Sequence, residues 1–134
     1  MSPLLQYHVW ILKKYPNISV EGWQPDIRSA YARGKVFIAP MQIGTGMQNK
    51  LLEAMAMGIP CITTPLASEA LAVVSGEDLL VARNEEEFLK HIRFLLNNQE
   101  KAEMIGLQGR TTVKKIYSWE GAIGALDALL IPPR

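Results

Sequence analysis

Gly44, Thr45 and Gly46 form a short glycine turn that runs directly into a helix-forming stretch carrying Lys50 and Glu53. Glycine lets the backbone turn sharply, and the first N–H groups of a helix have no carbonyl partner and carry partial positive charge. A turn of this kind followed by a helix start is a place to hold an anion, and phosphate fits it. Lys50 adds a cation within about a turn of that place, where it opposes the helix dipole unless an anion is bound. Glu53, one to two turns below the anion place, displays a carboxylate on the same stripe as Asn49 and Lys50. The same residues also have a plainer use. Thr45 and Gln48 match the capping-box spacing, and Lys50 and Glu53 have the spacing of a surface pair that contributes only about 0.2–0.5 kcal/mol.

These residues need a strand before them and a strand after them. Lys35–Ala39 reads as the first and Cys61–Thr64 as the second. Met47–Met57 forms the helix between, with Leu51, Leu52, Met55 and Ala56 at apolar spacings of three and four. Gly58 stands where a left-handed C-cap is expected, and Pro60 forbids continuation. Upstream, Pro3–Lys14 reads as a helix with a mostly apolar face of Leu4, Leu5, His8, Ile11 and Leu12. Ile18–Val20 reads as a short strand, and Asp26–Arg33 as a helix capped near Gln24–Asp26. Downstream, Pro65–Val74 reads as a loop with a weak helical turn and Asp78–Ala82 as a strand. Asn84–Asn98 is then an amphipathic helix capped by Asn84, with Phe88, Leu89, Ile92 and Leu95 inward. Gln99–Tyr117 and Ser118–Leu130 close the chain as helices. Strand, helix, strand at this spacing is the parallel α/β unit, because parallel strands need a crossover. There is no repeat, no Gly/Ser linker and no low-complexity tract, so residues 1–134 are expected to form a single domain.

The 134 residues are 49% hydrophobic and 20% charged, with a formal net charge of +1. That balance gives no basic field for nucleic acid and no acidic field for metals, so any anion chemistry must be local. The single Cys61 cannot form an internal disulfide, which fits a reducing compartment; within a strand it is an inert packed thiol. No apolar run approaches the roughly 18–20 residues that span a bilayer, and no basic n-region of a signal peptide is visible. His8 reads as a packed or edge-exposed residue rather than a ligand, and Met47, Met55 and Met57 as core filler.

The run from Gly22-Trp23 through Asp26, the strand ending in Ala39-Pro40, and then GTGMQNKLLEAMAMGIPCITT resembles the donor-binding domain of family-4 retaining glycosyltransferases of the GT-B fold. Asp78-Leu79-Leu80-Val81, Gly109-Arg110 and Tyr117-Ser118-Trp119 agree with it, and the segment EAMAMGIP is its specific part. The resemblance implies a Rossmann-like parallel sheet flanked by helices. It also implies a nucleotide-diphosphate sugar as donor substrate, with no metal or other cofactor. Glu53 matches the family glutamate that contacts the nucleotide ribose. The backbone of Gly44, Thr45, Gly46 and Met47 would hold the diphosphate, Lys50 would supply a cation, and Trp23 would border or stack on the nucleobase. The family's other glutamate falls at Thr45, which has no carboxylate, so that role does not carry over and no catalytic residue is assigned.

Two βα units that precede this segment in the family, and its N-terminal acceptor-binding domain, are absent from these residues. The expectation is therefore the C-terminal part of a cytoplasmic transferase whose acceptor can be membrane-associated, inactive in isolation and prone to homo-oligomerise. Two other readings stand beside it: a non-catalytic Rossmann-like module that binds a nucleotide or a partner, and a nucleotide-sugar epimerase of the same fold. The absent carboxylate at Thr45 suits the first of these.

Overall fold

The computed structural model describes residues 3–41 and 49–117. Gly44, Thr45, Gly46, Met47 and Gln48, and the expected last helix from Ser118, lie outside them. Among the described residues, six helices and three strands follow one another as α1 (Pro3–Leu12), α2 (Ile27–Ala32), β1 (Phe37–Ala39), α3 (Asn49–Ala56), β2 (Cys61–Thr63), α4 (Pro65–Glu69), β3 (Leu80–Val81), α5 (Glu85–Asn97) and α6 (Gln99–Tyr117). The strands form one parallel sheet in the order β1-β2-β3, with Phe37 opposite Cys61, Ala39 opposite Thr63 and Thr63 opposite Val81. The parallel α/β arrangement expected from the strand and helix spacing is the one observed, and it is the Rossmann-like sheet that the resemblance implies.

The central strand β2 is buried along its length, and its side chains separate two cores as a period of two requires. Cys61 packs with Tyr31, Leu51, Ala54, Met55, Leu79 and Val113, joining α2, α3 and α6 on one face. Ile62 packs with Leu80, Ala82, Leu95 and Ile105, joining α5 and the first half of α6 on the other. Helix α3 ends in a Schellman motif: Gly58, at φ 75°, donates its N–H to Met55, and Ile59 donates to Ala54. A side chain at Gly106 of α6 would collide with the Gly58 carbonyl oxygen, and one at Gly109 would come within 2.5 Å of the Asp78 carbonyl oxygen. Those two glycines let α6 lie directly on the backbone of both turns.

Local signals in the sequence act as expected in α2 and α5. Asp26 caps α2 by accepting from the Arg28 N–H at 3.0 Å. Asn84 caps α5 by accepting from the Glu87 N–H at 2.8 Å, while Glu87 accepts from the Arg83 N–H at 2.7 Å.

Three expectations are corrected. Ile18–Val20 is not a strand: the Ile18 N–H bonds back to the Tyr15 carbonyl, and no described strand lies beside it to complete a ladder. A three-residue apolar run becomes a strand only when a neighbour takes up its backbone groups. The stretch after Pro65 is a short helix rather than a loop, started by Pro65 at its first position, where the missing N–H costs nothing. Leu89 faces outward at 51% exposure, because the inward stripe of α5 runs through Phe88, Ile92 and Leu95 and leaves Leu89 at its shoulder. In α1, Leu4 and Leu12 are exposed, as are Tyr7, His8 and Trp10, so His8 is edge-exposed. Apolar residues surround that helix instead of forming one stripe, so no single face can turn inward. Its ordering contacts are local, Tyr7 stacked on Trp10 and the Lys14 ammonium 3.6 Å from the Trp10 ring.

Candidate functional site

Parallel sheets bind ligands outside the carboxyl ends of their strands, and here that end of β1 is firmly placed. Thr63 donates a 3.0 Å hydrogen bond to the Ala39 carbonyl, and Thr64 a 2.6 Å one to the Met41 carbonyl. Beside that strand end lies a cleft of about 430 Å³, lined by Phe37 to Met41 on one side and by Asn49, Lys50 and Leu51 of α3 on the other. Lys50 is exposed at its edge.

Lys50 and Glu53 share the exposed face of α3, as their spacing requires, while Leu51, Ala54 and Met55 anchor the opposite face in the core. Among the described residues they do not form the i, i+3 ion pair; the described ion pairs are Arg28–Asp26 and Arg33–Glu21. Glu53 turns to Tyr31 of α2 instead, whose hydroxyl donates to Glu53 Oε2 at 2.7 Å and approaches the Lys50 carbonyl at 3.3 Å. The Tyr31 ring is 8% exposed and meets Phe37 of β1 edge-on at 5.8 Å between centroids. Burial, and then the neighbouring Glu53 carboxylate, push the Tyr31 hydroxyl up to about 12, so it remains a proton donor. Burial alone pushes the Cys61 thiol up to about 12, in keeping with an inert role.

Trp23 stands apart from this group. It is 87% exposed in the segment before α2, and no described hydrogen bond or ring contact ties it to Lys50 or Glu53. Of the expected site, then, the described residues bring Lys50 and Glu53 together and leave Trp23 separate. Tyr31 was not singled out from the sequence. The signal that could have found it is general: a tyrosine on the inner face of a short helix carries a hydroxyl that must meet a partner. Among the described residues no three His, Cys, Asp or Glu are placed to hold a metal ion, and no helix is long and apolar enough to cross a membrane.

Comparison with known proteins agrees with this architecture. Residues 3–98 match the family described as Glycosyl transferases group 1. The capsular polysaccharide biosynthesis glycosyltransferase CapM of Staphylococcus aureus is 30% identical over 115 residues, which are 81% of this chain and 30% of CapM. Sucrose-phosphate synthase from Thermosynechococcus elongatus superposes with a TM-score of 0.76 at 21% identity, over 93% of this chain and 34% of that one. Anabaena HepE, solved in complex with UDP-glucose, superposes with a TM-score of 0.73 at 14% identity, over 91% of this chain and 35% of HepE. The fold is thus that of part of a GT-B glycosyltransferase, and the chain spans about a third of the length of each of these proteins.

Proposed function

The chain belongs to the glycosyl transferases of group 1, and from that membership we propose that it carries part of the donor site of an enzyme that moves a sugar from a nucleotide-diphosphate sugar to an acceptor. The observation that carries this reading is the placement of Glu53: exposed on α3, held by Tyr31, and one turn beyond the Lys50 that edges the cleft at the carboxyl end of β1. In this reading Glu53 accepts hydrogen bonds from the ribose hydroxyls, and the turn Gly44–Met47 and Lys50 receive the diphosphate. Glycosyl transfer passes through an oxocarbenium-like state while negative charge grows on the departing diphosphate, so oriented N–H groups and a cation lower the barrier there. No metal is needed for that charge, and Trp23 borders the base.

The family resemblance of the α3 segment supports transfer with retention of configuration. Acceptor contacts belong to a partner domain that these residues do not supply, which supports no turnover by the 134 residues alone and at most millimolar affinity for nucleotide. A cytoplasmic setting with a membrane-associated acceptor fits the capsular role named for CapM.

Nucleotide titration tests the reading. Glu53→Ala should weaken nucleoside-diphosphate binding more than fivefold, an effect of roughly 1 kcal/mol that one good hydrogen bond accounts for. Lys50→Ala should weaken it in a salt-dependent way. Equal binding by Glu53→Ala and wild type would remove the ribose role, and glycosyl transfer by the isolated chain would remove its dependence on a partner domain.

A further inference from the structure

We propose that Tyr31 is a positioning residue for Glu53, fixing its carboxylate so that the donor site selects a ribose with both hydroxyls; this rests on the reading of Glu53 given above. Glu53 is on an exposed helix face, where a free glutamate samples many rotamers and loses that freedom when a ligand binds. Its Oε2 is instead held at 2.7 Å by a hydroxyl whose own ring is embedded in the core, edge-on to Phe37. The same hydroxyl lies 3.3 Å from the Lys50 carbonyl, one turn back on α3, so it is fixed relative to both site residues. An ionised carboxylate accepts at about four lone-pair positions. Tyr31 uses one position on Oε2, and among the described residues Oε1 has no hydrogen bond. Capacity remains for two ribose hydroxyls, delivered in one orientation. The burial of the ring, and then the neighbouring carboxylate, keep the phenol protonated, so the donor persists at physiological pH.

The test is ligand-observed NMR on the chain with uridine, adenosine and guanosine diphosphates at millimolar concentration, each beside its dideoxy counterpart. Wild type should prefer the ribose form of the nucleotide it binds by about fivefold or more, the discrimination expected for hydrogen bonds to a charged group. Tyr31→Phe keeps the ring and removes the hydroxyl, and it should bring that preference close to one. Placed on Glu53→Ala, Tyr31→Phe should change the preference no further. A purely structural Tyr31 would lower the melting temperature and leave the preference intact, which would overturn the positioning role alone. A wild type that binds none of these nucleotides, or does not distinguish ribose from dideoxyribose, or a Glu53→Ala that binds normally, would overturn the reading of Glu53 and this proposal with it. If Tyr31→Phe does not fold, the wild-type chain with carbon-labelled tyrosine decides. The Tyr31 ring resonance should move when the ribonucleotide binds and stay when the dideoxy form is added, and a resonance unmoved by both overturns the proposal.

Discussion

Thr112 of α6 donates a 2.6 Å hydrogen bond to Oδ1 of Asp78, a carboxylate that is only 4% exposed in the turn before β3. Asp78 Oδ2 accepts from the Val74 N–H at 2.8 Å, and Gln108 reaches Oδ1 at 3.4 Å. A buried carboxylate is stable only when its lone pairs are met, and here a turn and a helix thirty residues away meet them. Asp78→Ala strands the Val74 N–H and the Thr112 hydroxyl, and it should cost about 2–4 kcal/mol. Thr112→Val should cost about 1–2 kcal/mol, and in urea unfolding the double variant should show less than the sum.

Gly106→Ala should destabilise the chain although alanine favours helix. The gain in helix propensity is at most about 1 kcal/mol, whereas the new methyl group meets the Gly58 carbonyl oxygen and forces α6 away from it, at about 1–3 kcal/mol or more. Gly22→Ala is the control, since nothing lies within 4 Å of the added carbon and the change should stay within about 0.5 kcal/mol. Thermal melts of the two variants side by side check this.

Alkaline pH should weaken the fold through Tyr31 and Cys61. Burial raises the tyrosine from 10.0 to about 12 and the thiol from 9.0 to about 12. In both, the folded chain holds its proton more tightly than the unfolded chain, so the stabilisation is complete below the unfolded value and is lost as pH rises through the folded one. The melting temperature should therefore fall between about pH 9 and pH 12, and Cys61→Ala should flatten the first part of that fall. A slope unchanged in Cys61→Ala would exclude the thiol. Below pH 8 the folded chain should resist thiol alkylation until denaturant is added.

The exposed apolar side chains of α1 should drive self-association. Leu4, Tyr7 and Trp10 are each more than half exposed. Light scattering should give a mass above that of one chain at high concentration, and replacing Leu4 and Trp10 with glutamate should bring it to the monomer. A clean monomer in wild type would show that this surface is not self-complementary.

Much of the architecture was legible because its signals are local. The Asn84 cap, the Gly58 turn and the period of α3 are each decided within a few residues, and each was read with its role intact. The strand at Ile18–Val20 was misread because strand formation depends on a neighbour that no local pattern supplies. In α1 the composition was apolar, but composition without a stripe does not say which side is covered. The site divides in the same way. Lys50 and Glu53 follow from helix spacing, whereas their link through Tyr31 joins residues 22 positions apart and exists only once α2 packs against α3.

The seating of α6 on two backbone turns governs where the length of this chain can change. Gly106 and Gly109 are three residues apart on one helix, and each is matched to a different turn, one closing α3 and one preceding β3. A single residue inserted in α6 ahead of Gly106 would rotate both glycines off their contacts by about 100° and bring side chains against two carbonyl oxygens at once. One inserted at the α5–α6 junction around Asn98 leaves the spacing within α6 untouched and asks only the connection to adjust. Natural variants of this segment should therefore gain and lose residues at that junction and keep a fixed count from Gly106 through Thr112.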